Sequence, residues 1–426
     1  MQNVLEYFKT ISSIPRCSYD TKAMRDYIKE FALSLHYSVK EDAFGNILCQ
    51  KGEPKVCLQA HYDMVCIGEC TTIELVQENN ILRAKNSTLG ADNGMGMAIM
   101  FDCMQKSAHL ECLFTSDEEV GLIGASQFSL PLASSRLLNL DSEEEGEICI
   151  GCAGGVDVIS TLKLDYLPLD GTEKLYKIEA VDFQGGHSGV DIDKNIPSAI
   201  KVLSRELSKH DVKLISIEGG ERRNSIPKQA RAIVASTSEI KLFDTRLHVE
   251  LLEGQTFKNF IGQSRLIIHA LNAFAQGVRV WDTALNIPSV SISLGVLKVE
   301  NEILKIDCAA RAMDDESLDI LCDENISFFE ALGFVSFSEG RHVAWKPLVG
   351  DFAQKVKEIM QKEYKKVEYK AIHAGLECGV LIESQTKKIE AVSVGPTIRY
   401  PHSLREECDL DSVERIGKIV KEIIKG

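Results

Sequence analysis

The sequence predicts an α/β protein whose mostly parallel sheet is interrupted by an inserted α+β domain with an antiparallel sheet. Three observations carry this. Residues 55–60, 110–115 and 136–140 form short, mostly apolar runs separated by helical stretches, as strands covered on both faces require. Between 174 and 337 the runs lengthen and alternate apolar with polar residues, as in 289–297 and 303–309, which suits an antiparallel sheet with one solvated face. After 346 the first pattern returns, in the run 389–394. A chain of 426 residues also exceeds what one core comfortably serves. Residues 1–167 and 346–426 are therefore expected to form one discontinuous domain, with 168–345 inserted into it.

Taken in order, residues 21–37 read as a helix with Met24, Ile28, Phe31 and Leu35 on one face. The run 55–60 delivers His61. Residues 89–96 form a glycine-rich loop, with helical spacing over 97–105. The run 110–115 is broken only by Glu111 and ends at the acidic cluster Asp117, Glu118, Glu119; that of 136–140 ends at Asp141. In the insert, helices are predicted over 197–210, with Pro197 in the first turn, and over 256–276 and 314–332. Glu300 and Asn301 form a hairpin turn, and the element order suggests two stacked α+β halves. Residues 351–365 are helical. A last helix is capped by Asp411 or Ser412, with Val413, Ile416, Val420 and Ile423 on one stripe.

The net charge of −15 argues against a nucleic-acid or anionic-membrane partner, since both need a positive footprint. No apolar run approaches the roughly 18 residues that span a bilayer. Residues 1–10 are amphipathic, without the charged-then-apolar order of a signal peptide, so a cytoplasmic location is expected. In that compartment the 13 cysteines should be mostly reduced, buried thiols. Cys149 and Cys152 form a lone C-x-x-C, and Cys66 and Cys70 a C-x-x-x-C, without the second pair that a structural zinc knuckle needs.

Ligands of open α/β sheets bind beyond the carboxyl ends of the strands. His61, Glu119, Asp141 and His402 each follow such an end, and Asp92 lies in a loop between two of them. Alone, each is unremarked: a single histidine is most often a hydrogen-bonded core or surface residue, and Glu118–Glu119 alone a solvated turn. Glu143, Glu144 and Glu145 read as such a turn and are assigned no chemistry. As a set, two imidazoles and three carboxylates with open positions suit two catalytic divalent ions. Their charges, with a shared hydroxide, come close to neutral. Ions about 3.5–4 Å apart would hold that hydroxide and polarise a carbonyl.

The segments His61-Tyr-Asp-Met-Val, Gly90-Ala-Asp-Asn-Gly, Thr115-Ser-Asp-Glu-Glu-Val-Gly, Asn139-Leu-Asp-Ser-Glu, Gly185-Gly-His-Ser-Gly and Gly395-Pro-Thr-Ile-Arg-Tyr-Pro-His-Ser resemble the co-catalytic zinc peptidases of the aminoacylase and glutamate carboxypeptidase type. His373-Ala-Gly-Leu-Glu-Cys-Gly narrows the resemblance to the dipeptidases among them, and it runs from the N-terminus to the last helix. It implies a zinc-peptidase-like catalytic domain with an inserted lid, hinged near Leu167 and Lys346. His61 and Asp141 would hold one ion, Glu119 and His402 the other, and Asp92 both; Zn²⁺ is implied, with Co²⁺ or Mn²⁺ as alternatives. Asp63 would orient His61, and Glu118 would be the general base. The Asp92–Asn93 peptide would be cis. In the lid, His187 would stabilise the oxyanion, which its flanking glycines alone would not suggest. Asn224 and Arg311 would hold the substrate carboxylate, the arginine through its planar fork, with help from the backbone around Gly375.

The activity implied is hydrolysis of unblocked dipeptides, with broad or Xaa-His preference. Deacylation of N-acyl amino acids on the same scaffold is the alternative, because the metal ligands do not distinguish the two. A non-catalytic scaffold would lack a ligand or the base, and none is missing. The partner is a small peptide substrate, and the oligomeric state stays open between monomer and homodimer.

Overall fold

The computed structural model describes residues 2–426, the side chain of Gln2 excepted; Met1, the first residue of the amphipathic stretch, lies outside them. The chain divides into two compact units. The first comprises residues 1–152, 345–371 and 375–426, the second 153–344 and 372–374. The first crossing therefore falls at Cys152/Ala153 rather than after Leu167. The reason is pairing: the strand Gly154–Lys163 is hydrogen-bonded along its length to Ile303–Ala312 and also pairs with Val335–His342, both in the second unit. Its alternation was hidden because most of its residues are buried.

Among the described residues the first unit is built on an eight-stranded sheet. Four central strands, Leu110–Thr115, Cys57–His61, Arg136–Asn139 and Glu390–Ser393, are parallel neighbours in that order. Antiparallel strands flank them, Ile47–Lys51 on one side and Glu147–Cys152 on the other. Cys57–His61 and Leu110–Thr115 are buried at every position, which explains their unbroken apolar character. The helix Ala91–Lys106 has small and apolar residues nearly all round, the pattern of a helix without a solvent face. Its Phe101 meets Tyr7, Tyr27, Phe31 and Phe114 in one aromatic cluster. A separate four-stranded sheet contains Ile398–Arg399 and Glu407–Asp409, paired antiparallel, and the loop between them carries His402.

The last helix, Leu410–Lys425, starts earlier than its apolar stripe suggests. Asp409 is its cap, accepting from the amides of Asp411 and Ser412. In the second unit a nine-stranded antiparallel sheet joins both α+β halves edge to edge, through the single register pair Gly219–Leu297, instead of stacking them. The hairpin after Glu300 turns on Asn301 and Glu302, both with positive φ, as a two-residue turn of matching twist requires. The helix predicted over 256–276 is shorter, Ser264–Ala273, and a strand Asn259–Ile261 precedes it. Asp314 caps Asp315–Ala331 by accepting from Ser317 N at 2.8 Å. No described helix is long and apolar enough to cross a membrane.

Cys49, Cys57, Cys70, Cys103, Cys112, Cys308, Cys322, Cys378 and Cys408 are free and buried, as reduced core thiols should be. Cys17 and Cys66 differ: they form a disulfide across 49 residues of sequence, which the irregular spacing did not suggest.

Candidate functional site

The parallel strands of the first unit end side by side, and their ends carry the polar groups. His61 is the last residue of Cys57–His61 and pairs in register with Thr115, the last of Leu110–Thr115. Glu118 and Glu119 follow that strand, and Asp141 follows Arg136–Asn139. Asp92 enters from the first turn of the buried helix, where Asp92 and Asn93 depart from helical geometry and the peptide between them is cis. His402 enters from the tip of its hairpin loop, with positive φ. The expected convergence is therefore present within one unit.

Asp92 stands at the centre. Its Oδ1 lies 3.1 Å from His61 Nε2 and its Oδ2 3.0 Å from His402 Nε2. His61 Nε2 is also 3.3 Å from Asp141 Oδ1, and His402 Nε2 2.8 Å from Glu119 Oε2. Two sets of three potential ligands result, His61–Asp92–Asp141 and Asp92–Glu119–His402, each with donor atoms within 4.8 Å of one another. They share Asp92, one oxygen toward each histidine. A third set, His61–Glu118–Glu119, brings Glu118 to the same place.

Asp63 is buried behind His61. Its Oδ1 is 3.4 Å from His61 Nδ1 and accepts from the amide of Glu118 at 3.0 Å. Its Oδ2 accepts from Ser18 Oγ at 2.7 Å and the amide of Glu119 at 3.3 Å. One carboxylate thus fixes the imidazole and the backbone of the acidic pair.

The charges in this pocket are strongly coupled. Burial opposes a charged His402, but its hydrogen bonds to Asp92 and Glu119 outweigh that and push its pKa up to about 11. Burial likewise opposes a charged His61, and the carboxylates Asp141, Asp63 and Asp92 reverse the outcome, raising it well above the ordinary range. Burial, then the charge of Asp92, push Glu119 up to about 7. Glu118 is raised well above its usual range, chiefly by burial. Carboxylates that pull protons onto both neighbouring imidazoles form a cation-binding environment.

Several residues to which the sequence assigned no role build this geometry. The Glu406 carboxylate is buried and accepts from four successive amides, Leu89 at 2.8 Å, Gly90 at 3.0 Å, Ala91 at 2.8 Å and Asp92 at 3.3 Å. Arg16, also buried, donates to the carbonyl of Asp63 at 2.7 Å and to that of Gly90. Asn93 donates to Asp141. Glu377, inside the motif that begins at His373, is fully buried and accepts from Gln59 at 2.5 Å and Thr115 at 2.8 Å; burial pushes it up to about 8. Gly375 lies between the bend at His373 and Ala374 and the helix Glu377–Glu383.

The triple glutamate run is not a simple solvated turn. Glu145 is bound by Arg415 at 2.6 and 2.7 Å. Glu143 is partly buried, and burial followed by the charges of Asp92 and Asp141 push its pKa up to about 8.

His187, Asn224 and Arg311 lie in the second unit. The strands Gly186–His187 and Ser225–Ile226 pair, and the Asn224 carbonyl accepts from Ser188 N at 2.8 Å. His187 Nδ1 accepts from the amides of Gly189 and Val190 at 3.2 and 3.1 Å, so a neutral ring carries its proton on Nε2. Arg311 runs beside Gly189: a Cβ there would stand 3.0 Å from Arg311 Nε and 2.3 Å from the His373 carbonyl. The three residues are thus neighbours in one unit.

No family model matches the chain. Its structure resembles that of aminoacylhistidine dipeptidase from Vibrio alginolyticus, with TM-score 0.81 and 28% identity over 99% of this chain and 96% of that one. It shares a fold with a dinuclear metal-binding peptidase of the M20 family from Bacillus subtilis, at TM-score 0.50 and 11% identity over 99% and 97% of the two chains. The fold is thus the one found in M20-type peptidases, a parallel-centred sheet unit with an inserted antiparallel one. At the level of sequence, the cytosol non-specific dipeptidase of Escherichia coli strain K12 is 32% identical over 479 aligned positions, covering 100% of this chain and 97% of that protein. The chain belongs to the family of that dipeptidase.

Proposed function

We propose that this chain is a metal-dependent hydrolase of unblocked dipeptides, with broad or Xaa-His preference, working in the cytoplasm. The observation that carries the reading is the pair of three-ligand sets sharing Asp92. Its relatives from E. coli and V. alginolyticus are named dipeptidases, which favours peptides over N-acyl amino acids.

The donors fit two divalent ions. Imidazole nitrogens and carboxylate oxygens in threes are a catalytic zinc set, and Glu119 Oε1 is buried without a hydrogen bond, an oxygen suited to a cation. His61 and Asp141 would hold one ion, Glu119 and His402 the other, and Asp92 both. Zn²⁺ is the natural occupant, with Co²⁺ or Mn²⁺ as substitutes. When bound, such ions supply Lewis acidity, acidifying water and polarising a carbonyl.

The chain's own groups do the rest. Asp63 orients His61 and keeps its Nε2 toward Asp92. Glu118, partly buried and proton-seeking, takes a proton from the attacking water and returns it to the departing amine. His187, with its proton on Nε2, is the donor suited to an oxyanion. Asn224 and Arg311 suit a carboxylate.

A kinetic panel of dipeptides, tripeptides and acylated amino acids, with metal content measured on the same sample, tests the reading. Hydrolysis of dipeptides with Zn²⁺, Mn²⁺ or Co²⁺ should vanish with a chelator and return when metal is restored. Glu118→Gln should keep its metal and lose turnover by on the order of 10²–10⁴-fold. A fully active Glu118→Gln enzyme would remove the base from this account.

A further inference from the structure

We infer that Glu143 binds the α-ammonium group of the substrate and so makes the site selective for peptides with a free amino terminus. The inference deepens the dipeptidase reading and rests on it.

The argument is one of elimination among carboxylates. Asp92 gives one oxygen to each histidine. Asp141 is engaged by His61 and Asn93, and Glu119 by His402. Asp63 is held by Ser18 and two amides, Glu377 by Gln59 and Thr115, and Glu406 by four amides. Asp117 accepts from Tyr19 N at 2.6 Å. Glu144 is exposed to solvent, and of the acidic side chains at the site two remain without a hydrogen bond or ion pair to protein among the described residues, Glu118 and Glu143, of which Glu118 is the proton carrier.

Glu143 is well placed for a ligand. It follows Asp141 by two residues, and its carbonyl accepts from Ile398 N at 3.0 Å, so its backbone is tied to the segment that leads to His402. The side chain shares the field of Asp92, Asp141, Glu119 and His402. Neither carboxylate oxygen is a sealed, unsatisfied atom, so the group remains reachable. An ammonium group offers three charge-assisted donors and one positive charge, whereas an acylated nitrogen offers one neutral donor. A site built around that pairing favours the free amine by leaving the carboxylate uncompensated when the amine is blocked.

The test uses metal-loaded full-length protein, with an unblocked dipeptide and its N-acetyl derivative as probes. Glu143→Gln should raise KM for the unblocked dipeptide by roughly tenfold or more, with kcat changing far less, and Glu143→Asp should restore part of the loss. Calorimetric binding in a Glu118→Gln background reads affinity independently of turnover: the Gln change should weaken the unblocked probe and leave the acetylated one unaltered. Metal content should not move. Equal weakening of both probes, an unchanged preference, or loss of a metal ion would overturn the assignment. If the wild-type protein prefers to bind the free dipeptide but does not cleave it, the catalytic reading falls while this one stands. If it shows no preference for the free amine, this one falls whatever is cleaved.

Discussion

Asp63 illustrates how much of the site is arranged from behind. Four contacts converge on its two oxygens, from His61, Ser18 and the amides of Glu118 and Glu119. Replacing it by Asn keeps the shape but removes the charge that supports a basic imidazole and puts an amide group where an acceptor is needed. Asp63→Asn should weaken metal affinity or activity by about 10–100-fold, measured by competition with a chelator and by kinetics on the same sample. At this scale the sequence was informative for residues lying in compact motifs: the spacing of His61 and Asp63, and the adjacency of Glu118 and Glu119, are visible in a string of letters. It was silent about Arg16 and Glu406, because a lone charged residue in a loop carries no period and no spacing. For Glu143 the run of three glutamates misled, since a cluster of like charges is ordinarily solvated, and here burial depends on what the rest of the chain places around it.

At the scale of elements, two loops position the central carboxylate. The chain from 394 to 398 runs alongside 139–143, with hydrogen bonds from Val394 N to the Asn139 carbonyl and Ile398 N to that of Glu143. The approach is so close that a Cβ on Gly395 would fall 1.6 Å from the Ser142 carbonyl oxygen, so no other residue fits without displacing the strand ends. Farther along, Glu406 ties this segment to the start of the buried helix. Its four amide contacts orient the backbone that presents Asp92, and Gly90, with φ of 65°, allows the chain to turn into that arrangement. Glu406→Gln would set an amide group against amide donors. Metal affinity should fall about 10–100-fold in a calorimetric titration, while the metal-free protein should lose about 1.5–3 kcal/mol of stability, read from a denaturant melt. A variant with unaltered metal binding would show that the loop holds its shape without the clamp. Strands and helices of this unit were legible because full burial leaves unbroken apolar runs. The start of the last helix was not, since Asp409 caps from beyond the apolar stripe.

At the scale of the whole molecule, the second unit has its own sensitivity to acid. Burial, then repulsion from Arg311, hold His342 down to about 4 and His373 down to about 3. His373 Nε2 lies 2.7 Å from Ser291 Oγ. Both pKa values are lower folded than unfolded, so the unfolded chain binds protons that the folded chain refuses. Stability is therefore fully present above an ordinary histidine pKa of about 6.5 and drains away as pH falls toward these lowered values. The melting temperature should drop between pH 7 and pH 5, and less so in His373→Gln, whose side chain does not titrate. An equal drop in both would place the acid sensitivity elsewhere.

The sequence by itself determined the fold class, the two kinds of sheet and the residues that could meet at the strand ends, because burial and hydrogen bonding impose periods that a single strand or helix records locally. Only the tertiary structure decided where one unit gives way to the next, which of the acidic side chains are already engaged by protein, and how Asp92 divides its oxygens between two histidines. Those outcomes depend on pairing and proximity between residues hundreds of positions apart, and no local pattern encodes them.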